Sequence, residues 1–330
     1  MDLVAAFETG LRAAVSPTAA WFALLAIGLN VHYGFTGLLN FGQVGFMLVG
    51  AYGVGITVSI FGMSLWLGVI MAILAAVVLA LVLGGPTLRL RADYFAITTI
   101  AAAEVLRLVA NSRVSTPFTG GPFGIQYNAS AFYALNPLPM PGALTWGPFS
   151  FTRNSTWVLL VGWSLAILAS IIVFALMRSP WGRILRSIRE DEDAARALGK
   201  NVFSYKMQSL ILGGVIGALG GVIYTLDGAT VNPNTFRPDF TFFAYAMLIV
   251  GGVASRFGPM VGAFIFWFVL QSTQALVRQA STADLLPDWI SGAAAVGASR
   301  FVLTGLVLML LVVYRPQGMF GNKREMALDG

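Results

Sequence analysis

Residues 178–206 read RSPWGRILRSIREDEDAARALGKNVFSYK. This is the most charged stretch of a chain that is otherwise mostly apolar. An apolar run from Thr156 to Met177 leads into it, and another from Met207 to Leu226 leaves it. Each run reaches the roughly 17–25 residues that cross a bilayer as a helix. A polar, helix-forming segment held between two such runs has to lie outside the lipid.

Composition agrees. Only 10% of the 330 residues are charged and 57% are hydrophobic, with a mean hydropathy of +0.79. Soluble domains carry roughly 25% charged residues, so this chain cannot cover a water-facing surface. Its apolar runs are continuous, not alternating, which disfavours a membrane β-barrel. The expectation is an all-α polytopic membrane protein forming one transmembrane domain over residues 1–330. The net charge of +6 does not signal nucleic acid, because the basic residues sit in short loops between spans and encode orientation. No cysteine is present, so neither a disulfide framework nor a thiolate metal site is possible. The N-terminus lacks a basic region before its apolar residues; it reads as a short amphipathic lead-in, without a cleavable signal peptide.

Taken in order, spans are expected near Thr18–Tyr33, Leu39–Ile60, Leu65–Leu83, Tyr94–Ala110, Thr156–Met177, Met207–Leu226, Phe240–Val253, Met260–Leu276 and Arg300–Tyr314. That gives nine crossings, or eight to ten if the glycine-rich region Gly28–Ile56 hides a re-entrant segment. Dense glycine permits a broken helix where protein shields the backbone, and Gly34–Gly42 reads equally as a broken helix or a loop. Asn30, His32, Thr36, Asn40 and Gln43 fall there and are expected to face the bundle interior. Lone His32 has no evident base or metal partner and reads as a packed histidine. Val277–Ser299 reads as an Ala-rich connection that can include a short interfacial helix. Placing residues 178–206 in the cytoplasm puts Arg89–Asp93, Ser255–Pro259 and the tail, with Lys323 and Arg324, on the same side. That side collects thirteen of the twenty basic residues and leaves the N-terminus outside.

The charged stretch has helix punctuation of its own. Ser179-Pro180 is a good N-cap and first-turn pair, Asp191 can restart a helix, and Gly199 is a natural stop. Ile184, Leu185, Ile188, Ala195 and Leu198 can form an intermittent apolar face beside a basic flank at Arg183, Arg186 and Arg189. Such a helix pair suits a groove on a soluble partner; a solvated loop kept in place by its charge is the plainer reading. The carboxylates of residues 190–193 point in different directions around a helix, against a metal site. Two polar connections remain: Asn111–Ser155, on the outer side, and Asp227–Asp239.

Five stretches together resemble a known family: GLNVHYGFTGLLNFGQVGFMLVGAY from Gly28, RADYFAITTIAAAEVLRLVAN from Arg91, SPWGRILRSIREDEDAARALGKNVFSYK from Ser179, VGGVASRFGPMVGA from Val250, and YRPQGMF from Tyr314. In this order they are similar to the M-type permease subunit of the ATP-binding-cassette (ABC) importers for branched-chain amino acids, over nearly the whole chain. The resemblance implies a multi-pass bacterial inner-membrane subunit that moves solute by alternating access. It implies that residues 178–206 dock on a cytoplasmic ATPase, with Arg189, Glu190, Asp191, Glu192, Asp193, Ala194, Ala195, Leu198 and Gly199 at the contact. Glu192-Asp193-Ala194-Ala195 with Gly199 resembles the Glu-Ala-Ala…Gly coupling loop of such importers, with Asp193 where the first alanine would stand. The implied partners are two ATPase subunits, a sister H-type permease and an extracytoplasmic binding protein docked on the outer loops.

The chain has no G-x-x-x-x-G-K-[ST] phosphate cradle and no catalytic constellation. It is expected to bind no cofactor, ATP and Mg belonging to the ATPases. Substrate-path candidates are Asn40, Gln43, Thr98, Thr99 and Glu104, although a threonine also serves simply to bond its own helix. Glu104 with Arg107 reads first as a structural ion pair on one helix face. Leu, Ile or Val is the expected solute, with urea or a short amide the alternative. An ion-coupled carrier ranks far behind, because the spans hold almost no acidic residue besides Glu104.

Overall fold

The computed structural model describes residues 2–138, 144–147, 149–283, 293–315 and 317–321. Two amphipathic or broken elements open the chain. Helix α1 (Leu3–Val15) is capped by Asp2, whose carboxylate accepts from Val4 and Ala5 N–H. It buries Ala6, Gly10 and Ala14, one small residue per turn. That stripe lets it lie against helix α13 (Gly258–Thr282), with Phe7 edge-on to Phe268 at 5.3 Å. Small residues are what let helices approach closely in lipid. Helix α2 (Pro17–Leu29) is capped by Ser16 with Pro17 at its first position, and it is buried almost all round. It runs directly into a six-residue π-helix, Asn30–Phe35.

The remaining membrane helices are α3 (Gln43–Ser59), α4 (Leu65–Thr87), α5 (Ala92–Asn111), α8 (Arg153–Arg178), α11 (Val202–Gly228), α12 (Asp239–Gly251), α13 and α14 (Ala293–Tyr314). Five segments are long and apolar enough to cross a bilayer: α2 with its π-helix, α4, α8, α11 and α13. A sixth is added if α5 counts with the helical turns after it, to which it is bent by 92°. Helices α3 and α12, and Gly297–Leu311 within α14, are shorter apolar helices. Among the described residues these are nine apolar segments, in the order expected. The second begins at Gln43 and not at Leu39, because the chain from Gly37 to Asn40 has no regular helix and Gly37 turns it at φ +75°. The expected connection after Val277 is partly helix, since α13 continues to Thr282. The rest of that connection from 284 to 292, and tail residues Lys323 and Arg324, lie outside the described residues.

Helix α11 is the axis, packing on α2, α3 and α4. Its Gly213, Gly214, Gly217, Gly220 and Gly221 are the reason. Gly217 makes room for the Gln43 side-chain amide, and Gly220 and Gly221 for the Trp21 and Met47 carbonyls of neighbouring helices. Lipid is as apolar as leucine, so close packing and not hydrophobic burial holds such helices together. The faces of α4, α5, α8 and α14 that turn outward carry exposed residues such as Trp66, Val78, Ile97, Val105, Ile171, Val302 and Met309.

The connections after α5 and after α11 are folded where they are described. Residues 111–155 form α6 (Thr116–Thr119), a 3-10 turn at Gly121–Phe123, α7 (Ser130–Ala134) and three short strands: β1 (Ile125–Gln126), β2 (Leu144–Trp146) and β3 (Phe149–Phe151). Strand β1 pairs antiparallel with β4 (Thr230–Val231), joining Ile125 to Val231. Gly124, at φ +72°, permits the approach, because a Cβ there would collide with the Val231 carbonyl. The two connections therefore make one cap at the end of the bundle away from residues 178–206.

Candidate functional site: a broken helix and the helix pair that grips it

On the opposite side, α8 ends at Arg178 and the chain forms α9 (Pro180–Glu190) and α10 (Glu192–Ala197) before α11. The predicted helix pair is present, and two of its three punctuation marks act as read. Asp191 caps α10, accepting from Asp193 and Ala194 N–H at 2.9 Å each. Gly199 adopts φ +76°; its N–H bonds to Arg196 O and that of Lys200 to Ala195 O, the paired closure of a Schellman stop. Ser179 sits at the N-cap of α9, but its hydroxyl donates to Leu176 O at 2.6 Å and so finishes α8 instead.

The apolar face expected to meet a partner is mostly turned inward. Leu185, Ile188 and Ala195 are buried, the last two against Val202, with Ile184 and Tyr205 alongside. Only Leu198 is left out, 78% exposed. The exposed rim around it is Glu190, Asp191, Asp193, Ala194 and Gly199. Glu192 does not join that rim. It pairs with Lys206 of α11 and with Arg196 at 2.8 Å, so it ties the helix pair to the bundle. Arg189 also points back, donating Nη1 to the carbonyl of Gly34 at 2.6 Å.

Replacing Asp191 or Gly199 with alanine is expected to loosen α10 by about 1 kcal/mol each, from a lost cap and a left-handed residue respectively. The measurement is amide exchange over residues 192–198, which should quicken about fivefold. Unchanged exchange would mean the contacts of Ala195 alone hold the helix.

Gly34 lies in the π-helix, where widening leaves carbonyls without partners along the chain. Partners come from the next few residues and from other helices. Val31 O accepts from Thr36 at 2.9 Å and from Ser209 of α11 at 3.2 Å. His32 O accepts from Leu38 N–H at 2.8 Å. Asn30 donates to Ser255 O and accepts from Ala254 N–H, fastening the α12–α13 connection. Irregular backbone at membrane depth survives only when satisfied like this.

The irregular segment after the π-helix is held by a buried polar chain. His32 Nε2 faces Leu210 O at 3.1 Å. A carbonyl only accepts, so Nε2 carries the proton and Nδ1 accepts from Asn40 Nδ2, also at 3.1 Å. Asn40 donates as well to Gln43 Oε1 at 3.2 Å and accepts from Gly42 N–H. Gln43 Nε2 donates to Gly213 O at 3.0 Å. Thr99 of α5 accepts from Phe41 N–H, and Thr241 of α12 accepts from Val44 N–H, so two other helices cap the start of α3.

Of the substrate-path candidates, Asn40, Gln43 and Thr99 thus come together, each 0% exposed. Their polar atoms bond within the chain, which makes them the fastening of the break. Thr98 is apart from them, half-buried and bonded to Tyr94 O on its own helix. Glu104 is also apart, in a two-pronged pair with Arg107 at 2.5 and 2.9 Å, from which Arg107 reaches towards Asn234 of the cap. His32 is packed as expected. Sequence reasoning missed Thr241, Ser209 and the Arg189–Gly34 contact, which join residues more than 150 positions apart and leave no local pattern.

The chain is thus a bundle of apolar spans around an internally broken helix, with a surface helix pair gripping the break. The chain belongs to the family of permease components of the branched-chain amino acid transport system, whose pattern matches residues 12–313. It is similar to the high-affinity branched-chain amino acid transport system permease protein LivM of Escherichia coli, 28% identical over 92% of this chain and 68% of that one. It is also similar to the probable branched-chain amino acid transport permease protein LivM of Methanocaldococcus jannaschii, 27% identical over 94% of each chain. A guanosine ABC transporter permease protein, NupQ of Bacillus subtilis, is 26% identical over 72% of this chain and 73% of its own. The protein is a multi-pass inner-membrane transport subunit.

Proposed function

We propose that this permease imports branched-chain amino acids by alternating access, with two cytoplasmic ATPase subunits, a sister H-type permease and an extracytoplasmic binding protein. ATP and Mg are bound by the ATPases, and this chain binds no cofactor. Residues 178–206 form the ATPase-coupling element, with Leu198 and the rim from Glu190 to Gly199 as the outward contact. The outer cap of residues 111–155 and 227–239 receives the binding protein. The observation that carries the reading is Arg189, which links the surface helix pair to the Gly34 carbonyl inside the broken helix. A displacement of the pair therefore moves the break directly.

Asn40, Gln43 and Thr99 are occupied with the fastening of the break. The solute path is therefore assigned to the outward face of α5, which carries Thr98 and Glu104 and is completed by the sister subunit. A broad apolar wall there suits Leu, Ile and Val.

The guanosine permease relative supports a second reading, in which the solute is a nucleoside. The test is reconstitution of the chain with its neighbouring transport subunits in vesicles, followed by ATP-driven uptake of labelled leucine, guanosine and urea. Leucine uptake that needs ATP and the binding protein is the expected result. Guanosine or urea uptake without leucine uptake would replace the solute assignment. Uptake by this chain alone on an ion gradient would overturn the ABC reading.

A further inference from the structure

We propose that the inner end of α8 holds the phosphate of an anionic phospholipid. A cavity of about 360 Å³ opens there between α8, α9 and the α12–α13 connection, and Arg178, Arg186 and Arg256 line it. No carboxylate lies among its lining residues, and none of the three arginines forms an ion pair among the described residues.

The arginines are also placed, rather than scattered. The guanidinium carbon of Arg256 lies 3.1 Å from the ring centre of Phe174, and that of Arg178 lies 4.2 Å from the same ring. Stacking on a ring face fixes a guanidinium while leaving its in-plane N–H groups pointing outward. Two like charges gathered on one ring repel each other, and an anion between them removes that repulsion. Arg186 is fixed by donating Nη2 to Met177 O at 2.6 Å. Planar, forked donors of this kind match phosphate oxygens.

The surface beside the cavity says which phosphate. Arg178, Phe174, Ile171 and Ile167 succeed one another at spacings of four, three and four along α8, which puts them on one face. Ile171 is 50% exposed and Ile167 45%. An apolar stripe thus rises from the basic cavity for roughly 16 Å, eleven residues at helical rise. A free phosphate would use the arginines alone. A lipid would use both the arginines and the stripe. Basic pockets between helices at the cytoplasmic membrane surface take lipid headgroups in this way.

The site touches moving parts. Ala254 and Ser255 line the cavity and are bonded to Asn30 of the π-helix, and Phe35 lines it from the far end of that helix. A bound lipid would therefore bridge α8 and the broken helix.

The test uses the full chain in phosphatidylcholine nanodiscs containing phosphatidylglycerol, with retained lipid read by native mass spectrometry. Wild type is expected to retain phosphatidylglycerol. The R178Q/R256Q variant should retain about twenty-five-fold less, two charges each contributing roughly fivefold at an anionic surface. Arg89→Gln, a basic residue of the same side outside the cavity, should retain it as wild type does. Ile171→Gln, an exposed change that leaves the arginines intact, should also weaken retention, and it decides the matter if the double variant does not fold. Inorganic phosphate and glycerol phosphate, added to lipid-free protein in detergent, should not bind measurably. Soluble phosphate binding as tight as lipid binding would overturn the lipid assignment. So would undiminished retention by both R178Q/R256Q and I171Q. Exclusion of the lipid from the transporter assembled with its partner subunits would do the same.

Discussion

Replacing Gly213 with alanine is expected to prevent stable folding in the membrane. A Cβ at this position would meet His32 Nε2 and the Gly28 carbonyl well inside contact distance. Backbone on one side cannot yield, and the histidine on the other is not free to swing. His32 bonds Leu210 through Nε2 and Asn40 through Nδ1, and Asn40 holds Gly42 and Gln43 in turn. Displacing the ring leaves several buried polar groups without partners, at about 1–3 kcal/mol each, beyond the roughly 1–3 kcal/mol of overpacking itself. That approaches the whole stability of an ordinary domain, about 5–15 kcal/mol. Gly85 of α4 is the control, since a Cβ there meets nothing within 4 Å. Gly85→Ala should behave as wild type on size exclusion and in thermal unfolding, while Gly213→Ala should elute as aggregate. Equal melting temperatures for the two would show that the π-helix relaxes to make room.

Asn40→Leu tests the same fastening by removal. Leucine cannot accept from Gly42 N–H or donate to His32 and Gln43, so a drop of roughly 2–5 kcal/mol is expected from two or more orphaned partners. Thr98→Val should change stability little, because Thr98 bonds only its own helix. A denaturant series in detergent compares them.

The spans and the surface helix pair could be read from the sequence because each is a local signal. Length of apolar run, a Ser-Pro start, an Asp cap and a left-handed glycine all act within a few residues. The direction each polar side chain takes is not local. Asn40, Gln43 and Thr99 look like path-lining groups when only their depth is known. Their role as fasteners depends on a π-helix whose carbonyls need partners, and on where α5, α11 and α12 pass. The apolar face of the charged stretch shows the same limit. Its spacing shows that Ile188 and Ala195 are buried against something. Only the fold shows that Val202, a few residues onward, is what covers them, leaving Leu198 as the most exposed large apolar side chain of the stretch.

That division of labour separates two variants of the proposed coupling element. Leu198→Glu places a charge on the most exposed large apolar side chain of residues 178–206, at the centre of the rim. An exposed anchor of this kind carries a large share of the energy of a docking contact, so the ATPase subunits should fail to associate while the permease itself stays folded. Arg189→Ala leaves that surface intact and cuts the link behind it. The Gly34 carbonyl loses a charged donor at 2.6 Å, and Gly37, whose φ of +75° holds the chain close to the Arg189 side chain, loses the surface it rests on. Association and ATP turnover should persist, while uptake falls roughly ten- to a hundredfold, the equivalent of the 1.5–3 kcal/mol carried by a hydrogen bond to a charged group. Arg189→Lys keeps the charge without the fork and should fall between. Glu192→Lys is the less informative choice, because it sets a third cation beside Lys206 and Arg196 and so dislodges the helix pair from its own bundle. If Arg189→Ala transports at the wild-type rate, the helix pair moves the spans through α8 and α11 alone, and the broken helix follows rather than leads.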